Sequence, residues 1–430
     1  MSDPGDGNSL PPSYPEKIMH SCKELLERMI GFNTVNGIHA GKPYSERELA
    51  LYLEKVAAGW GLRTRRSPVS GDHFNLFVIC EGAPGADWLL FDSHLDTVGL
   101  DGMTVDPLVA KCEDGRLFGR GVCDTKGSGA AMLWALRQYA QAPSRELNVG
   151  LLFSIDEESD MTGAEAFTRL ELPELASKTL GIIVGEPTLM RPVVAHGGMI
   201  RGRIVTSGLA AHSSDPNRGK SAISLMAKVV NAFESSYLPT VTARHPLAGK
   251  AAASINVIQG GTQVNVIPDR CEILFDRRVM PGEVMDDILP EIEKVLDSVR
   301  ATQPDARITL ESIFNLEPMN PEGRDSFTRF VTGALEQENL DASLTGAPWT
   351  TNACHYSRLI PAIILGPGDI AQAHTTDEWL ALFQLELATR LYLRLMLQPA
   401  LKIATRALIT MKTKSKCQKA TNDDRGRWVR

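Results

Sequence analysis

The sequence has little that is basic, little that is aromatic, no paired cysteines and no long apolar run. Of 430 residues, 45 are Lys or Arg against 52 Asp or Glu, a formal net charge of -7, so nothing recommends a nucleic-acid surface. The seven cysteines (Cys22, Cys80, Cys112, Cys123, Cys271, Cys354 and Cys417) are scattered and form no CxxC pair. That pattern excludes a disulfide frame and a cysteine zinc site, and it reads as reduced thiols in a cytoplasmic protein. No apolar stretch reaches the roughly 18 residues that suggest a membrane span. The opening segment MSDPGDGNSLPPSYPEK lacks the basic n-region and apolar h-region of a signal peptide. What remains is ordinary globular composition, 43% hydrophobic and 23% charged, with ample material for a large core.

Hydrophobic periodicity organises the chain into two units and a tail. Residues 15–30 and 44–60 read as amphipathic helices. Strand-like runs at 76–79, 88–91, 149–155, 180–184 and 362–365 alternate with helical stretches such as 129–139 and 164–170. Short apolar strands alternating with helices predict an α/β fold, a largely parallel or mixed sheet covered on both faces. The middle differs. Strands over 202–206, 254–258, 272–275 and 307–312 and helices over 221–233 and 284–299 follow the order βαββαβ, the ferredoxin-like pattern. The first of these helices presents Ile223, Met226, Val230 and Phe233 as its apolar stripe, and Pro290 is expected to kink or restart the second. This predicts a smaller domain over 199–313 inserted into a larger one made of 1–198 and 314–398. Residues 399–430, with alternating Lys412, Lys414 and Lys416 before a polar run, read as a basic, disordered tail.

The chemistry-bearing residues fall at strand ends. WLLFDS leads to His94 and Asp96, VGLLFSI to Asp156, Glu157 and Glu158, LGIIVG to Glu186, and PAIILGPGDIAQA to His374. Asp124 sits in GRGVCDTKGSG just before a helix. In open α/β sheets ligands bind at the carboxyl ends of strands, so such residues converge in space. Each signal alone is ordinary. A histidine is commonly a hydrogen-bonded surface or core residue, three adjacent acids commonly form a solvated turn, and Glu-Pro is usually only a turn. Jointly, two histidines and several acids at strand ends suit a two-metal site. Two zinc ions need a bridging carboxylate and terminal ligands, and an acid outside the ligand set must move the proton of the bound water. Asp156-Glu157-Glu158 offers one acid to bind and a neighbour to act as base.

SHLDTV, GRGVCDTKG, SIDEESD, IIVGEPT, GLAAHSS, GGTQVNVIPDRCEILFDRR and GPGDIAQAHTTDEW occur in that order. Over about 15–398 the chain resembles the acetylornithine deacetylase / succinyl-diaminopimelate desuccinylase family of two-zinc amidohydrolases and exopeptidases. The resemblance implies a metallo-exopeptidase-like catalytic domain with two Zn2+ per subunit, Co2+ being a substitute. His94 and Glu186 would hold one ion, Glu158 and His374 the other, and Asp124 would bridge them, with a cis peptide after it. Asp96 would orient His94 and Glu157 would be the general acid/base. The inserted domain would serve as lid and homodimerisation domain. From it His212 would reach the partner subunit's site to stabilise an oxyanion, and Asn265 and Arg278 would hold substrate, with Arg277 as a competing neighbour. The backbone of Gly366 and Gly368 would lie against the substrate.

Three positions depart from the family pattern: Cys123 and Thr125, where relatives more often have Ser or Ala and Met or Asp, and Asn352. Cys123 beside the bridging acid reads as a small buried packing residue. Asn352 in PWTTNACHYS stands where many relatives carry an acid near the substrate. AHTTDEW and GPGDIAQAH are closest to the acetylornithine deacetylase branch. The implied reaction is therefore hydrolysis of a small N-acyl L-amino acid, N-acetylornithine-like, to a carboxylate and a free amino acid. Succinyl-diaminopimelate desuccinylation and dipeptidase or carboxypeptidase cleavage are alternatives with the same mechanism. A one-metal aminopeptidase-like site is a further one. A non-catalytic binding homologue docking through the tail is a different class, which the full ligand set argues against. No nucleic-acid or membrane partner is expected.

Overall fold

The computed structural model describes residues 19–37, 45–303, 305–321 and 323–399. The start of the helix expected over 15–30, Cys417 and the tail from residue 400 lie outside the described residues.

An eight-stranded mixed sheet organises the larger unit. Its strand order is Arg63–Ser70, His73–Cys80, Asn148–Ser154, Trp88–His94, Thr179–Val184, Ala362–Ile364, Val193–His196 and Thr345–Ala347. Trp88–His94 lies at the centre, parallel to Asn148–Ser154 on one side and Thr179–Val184 on the other. These strands are almost continuously apolar because both faces are covered. The side-chain period of two divides them. Leu89, Phe91, Leu151, Phe153 and Ile183 pack with the helices Cys22–Ile30, Arg47–Gly59, Lys126–Ala140 and Leu382–Leu397. Leu90, Leu152, Ile182 and Val184 pack on the opposite side with Ala164, Phe167 and Tyr356.

Three strands of this sheet escaped the periodicity. Arg63–Ser70 reads RTRRSPVS and is an exposed edge, antiparallel to His73–Cys80. Its apolar contribution comes from arginine: the guanidiniums of Arg65 and Arg66 lie 5.4 and 4.9 Å from the ring centroids of Phe77 and Phe74. Val193–His196 and Thr345–Ala347 are too short to show a pattern.

The segment expected to be inserted runs Gly198–Ser207, Ala222–Ala232, Ala252–Gly260, Arg270–Val279, Met285–Thr302 and Arg307–Leu316, in the order βαββαβ. Its antiparallel sheet has the order Ala252–Gly260, Arg270–Val279, Gly198–Ser207, Arg307–Leu316. It has its own core, including Ile204, Met226, Phe233, Phe275 and Ile292. Helix Met285–Thr302 continues through Pro290. That residue lies early in the helix, where the lost backbone bond concerns only the first turns. The chain enters and leaves at one point: His196 and Met319 exchange backbone hydrogen bonds of 3.4 and 3.1 Å. Gly198 sits at this crossing, where a Cβ would fall 2.3 Å from the Leu316 carbonyl oxygen.

The Ala222–Ala232 stripe is rotated from the one expected. Ser221 caps the helix through the Ser224 amide, and Ala222, Met226 and Val229 face inward with Phe233 just beyond. Ile223 is 42% exposed. Among the described residues no helix is long and apolar enough to cross a membrane. Met226→Ala is expected to cost about 2–5 kcal/mol and Ile223→Ala less than about 1 kcal/mol, read from urea unfolding. Equal losses would return the stripe to the faces that periodicity alone assigns.

Candidate metal centre

Strand ends, a turn and a loop bring five ligand candidates together. His94, Asp124 and Glu186 form one triad of donor atoms, all within 4.8 Å of one another, and Asp124, Glu158 and His374 form a second. Asp124 belongs to both, and its two oxygens face different partners. Oδ1 lies 3.0 Å from His94 Nε2, and Oδ2 lies 3.4 Å from His374 Nε2. Glu186 Oε1 is 4.0 Å from His94 Nε2, and Glu158 Oε2 is 3.0 Å from His374 Nε2. His94, Asp124 and Glu186 are buried, while the His374 side chain is half-exposed. Imidazole and carboxylate at this spacing are the donor set of zinc and similar divalent ions.

The adjacent acids at 156–158 separate into three roles. Asp156 turns away: with φ of 65° it accepts from Thr162 Oγ1 at 2.6 Å and Asn36 Nδ2 at 3.2 Å. Glu158 joins the second triad, and Glu157 belongs to neither. The turn is gripped by Asp96, whose Oδ1 and Oδ2 accept the Glu157 and Glu158 amides at 3.1 and 2.9 Å. Asn36 donates to Asp96 as well, at 2.8 Å. His94 Nδ1 lies 3.0 Å from the Asp96 carbonyl oxygen and 3.4 Å from its Oδ1. A proton on Nδ1 leaves Nε2 free to face the cluster, and this neighbour fixes the ring.

Protonation follows the crowding of charge. Burial, reinforced by repulsion from Asp124 and the other acids, pushes Glu186 well above the carboxylate range. Glu157 is pushed the same way, by burial and then by Glu158 and Asp124 against the pull of His94. Asp124 goes down despite burial, because His374 and His94 bond to it. His374 rises to about 10 through its bonds to Asp124 and Glu158. His94 also rises, since Asp124 and Asp96 outweigh burial.

Asp124 is held by a residue that the sequence reading passed over. Glu378 accepts the amides of Gly121, Cys123 and Asp124 at 2.9, 2.8 and 3.0 Å, and Arg120 Nη1 at 2.9 Å. It lies in the AHTTDEW motif, where the acid four residues after His374 was the available signal. The Asp124–Thr125 peptide is cis. Glu46 was also missed: it accepts the Asp156 amide, and burial with Asp96 nearby raises it to about 8. Lys126, buried with Nζ 3.0 Å from the Phe32 carbonyl, is lowered to about 7 by burial. Cys123 is buried, and burial keeps its thiol protonated, as suits a packing residue.

Asn352 belongs to the interior beside the site. It is 1% exposed, and its Nδ2 donates to Asp92 Oδ2 at 3.1 Å and Ser154 Oγ at 3.0 Å. It thus supports a buried carboxylate. An acid at 352 would set two carboxylates together in the interior. Gly366 and Gly368 press on the site's walls. A Cβ at Gly366 would meet the Glu186 carbonyl at 2.5 Å, and one at Gly368 the Cys123 sulfur at 2.3 Å, with φ of 91° at Gly368.

The other three candidates sit on the inserted segment. Exposed His212, with Nδ1 2.7 Å from Ser214 Oγ, pairs with Val266, and Ser213 donates to the Asn265 carbonyl at 3.0 Å. Arg278 Nε bonds Asp276 Oδ1 at 2.8 Å, whereas Arg277 is buried and tied to Tyr237 and Glu283. The structure thus occupies Arg277 internally and leaves Arg278 half-exposed. Among the described residues no hydrogen bond joins His212, Asn265 or Arg278 to either triad.

Comparisons with known proteins agree with this fold. The profile described as Peptidase family M20/M25/M40 matches residues 90–398. Solved structures with a similar fold include aminopeptidase PepT from Bacillus cereus, at 19% identity and a TM-score of 0.69, covering 87% of this chain and 97% of that one. An M20 family metallo-carboxypeptidase from Sulfolobus solfataricus is similar at 15% identity and a TM-score of 0.67, covering 89% and 100%. A dinuclear metal-binding M20 peptidase from Bacillus subtilis, YXEP, is similar at 16% identity and a TM-score of 0.66, covering 87% and 97%.

Cation binding requires deprotonated ligands, while without a cation His374 rises to about 10 and the glutamates shift toward their protonated forms. Uptake of Zn2+ at pH 7 is therefore expected to release protons, and affinity to fall as pH falls. Calorimetry in buffers of different ionisation enthalpy checks this: a buffer-independent heat would contradict it.

Proposed function

The chain belongs to peptidase family M20/M25/M40 and is a metal-dependent hydrolase, and from that premise we propose that it cleaves the amide bond of an N-acyl L-amino acid, N-acetylornithine-like, to a carboxylate and a free amino acid. The observation that carries this reading is the shared Asp124, its two oxygens turned to the two histidines, with Glu157 beside both triads and in neither. Two divalent cations, Zn2+ in this reading, held by His94 and Glu186 on one side of Asp124 and by Glu158 and His374 on the other, would supply Lewis acidity and a water that ionises near pH 7.

The chain's own residues supply the rest. With positive charge between the triads, Glu157 starts as a carboxylate, takes a proton from the attacking water and returns it to the leaving amine. Asp96 holds His94 and the Glu157 amide in one frame, so base and ligand keep their relation. His212 of a second copy donates to the oxyanion as it develops. That role goes with a homodimer formed through the βαββαβ unit, which acts as a lid. Arg278 takes the substrate carboxylate and Asn265 a further polar group, consistent with Arg277 being engaged in the interior. The backbone of the Gly366–Gly368 loop lies along the same wall, packed against the Glu186 backbone and Cys123.

Exopeptidase action on a dipeptide is the second reading. It is favoured by similarity to proteins described as an aminopeptidase and a metallo-carboxypeptidase. Release of free amine after Zn2+ or Co2+ reconstitution separates the two. The panel is N-acetylornithine, other N-acetyl amino acids, N-succinyl-diaminopimelate and dipeptides. Preference for N-acetylornithine supports the first reading, and preference for dipeptides replaces it with the second.

Glu157→Ala is expected to abolish turnover while two cations stay bound; substantial residual activity would remove Glu157 from the role of base. His212→Ala is expected to lower kcat by about 100-fold or more, as removal of an oxyanion donor does. Full activity in that variant would remove the lid from the reaction.

A further inference from the structure

We infer that Glu378 is a positioning residue for the two-cation site, fixing the turn that carries Asp124 and through it the spacing of the two triads. This rests on the two-cation reading above.

Four donors converge on one buried carboxylate. Oε1 accepts the Cys123 and Asp124 amides, and Oε2 accepts the Gly121 amide and Arg120 Nη1. Glu378 is 1% exposed, so water competes with none of them. Three of the four belong to the single turn 121–124, the last of them to Asp124 itself. The backbone of Glu378 adds a fifth tie, accepting the Gly119 amide at 3.2 Å. Arg120 extends the clamp, with Nε 3.0 Å from the Gly99 carbonyl and its amide 2.9 Å from the Pro107 carbonyl. Glu378 thus ties the turn to the chain four residues past His374, a ligand of the second triad.

Burying a carboxylate is costly unless its lone pairs are filled, and here they are filled. A structural ion pair would require only Arg120. Instead the carboxylate gathers successive backbone amides, as a concave nest of amides does for an anion. It is itself no ligand, since its oxygens are engaged and it lies in neither triad. Neighbouring Asp377 has no part in the clamp; it pairs with Thr104 at the surface.

The consequence is geometric. A bridging carboxylate must suit ions about 3.5–4 Å apart, with ligand distances tolerating about 0.2 Å. Asp124 addresses His94 through one oxygen and His374 through the other, so a small rotation of its turn mistunes both sites together. Partners that orient ligands commonly change metal affinity by about 10–100-fold when removed.

The test is titration of metal-free wild type, Glu378→Gln and Glu378→Asp with Zn2+, and the visible spectra of the Co2+-loaded proteins. Circular dichroism and unfolding midpoints are measured alongside. The Gln variant turns an amide NH2 toward backbone donors, and the Asp variant keeps the charge but shortens the reach. The expected result is folded variants with Zn2+ affinity about 10–100-fold weaker, an altered Co2+ spectrum, and the Asp variant intermediate. Wild type taking up two ions, with both variants matching its affinities and spectrum, overturns the inference and leaves the two-cation reading intact. Wild type taking up none overturns the two-cation reading itself. Two variants that fail to fold assign Glu378 a structural role and also overturn the inference.

Discussion

Negative charge crowded out of water is the constraint around which this structure is arranged. Asp96, Asp124, Glu157 and Glu186 are buried at one end of the sheet, with Glu158 close by. Two histidines offset only part of that charge. The molecule responds in two ways. Burial and mutual repulsion raise the pKa of Glu157 and Glu186, and amides and imidazoles are aimed at Asp96 and Asp124, whose pKa goes down. Asp124 receives both histidines and Asp96 receives three N–H groups. Divalent cations would offset this crowding with fixed positive charge, and two triads of donor atoms stand within 4.8 Å of one another.

The sheet makes this crowding attainable. The strands ending at His94, Ser154 and Val184 are neighbours, and adjacent strands lie about 4.8 Å apart. Ligands leaving from successive carboxyl ends therefore start at the separation that a metal cluster needs. Asp124 and His374 come from a turn and a loop, where the backbone has more freedom. The Asp124 turn is fixed by extra hydrogen bonds to Glu378, and His374 stands in the left-handed region with φ of 63°.

Much of this was legible in the sequence, for identifiable reasons. The parallel core strands announce themselves because two-sided burial demands unbroken apolar runs, and acids following such runs stand out against them. The βαββαβ order was legible because each element carries its own period. The charged edge strand Arg63–Ser70 was not, since its apolar contacts are made by arginine stems and guanidinium faces. In the stripe on Ala222–Ala232, Met226 and Phe233 are buried as expected, while Ala222 and Val229 take the places assigned to Ile223 and Val230, because those residues make as good a helical pattern. Glu378 and Asn352 were invisible as supports for a simple reason: their roles consist of long-range hydrogen bonds, spanning 254 and 260 residues. One polar residue type gives no sign of which distant amide or acid it will meet.

The topology also sets an order of events. Strand Ala362–Ile364 slots between Thr179–Val184 and Val193–His196, although it is made after the whole βαββαβ segment. Until it arrives, the growing sheet has a gap with two unsatisfied edges. The inserted segment faces no such wait, because its core is drawn from its own residues. Its two ends are clasped at His196 and Met319, so the chain leaves it close to where it entered. His374 follows strand Ala362–Ile364, 216 residues from its partner Glu158. A ribosome-bound chain that lacks His374 cannot yet complete the second triad of donor atoms.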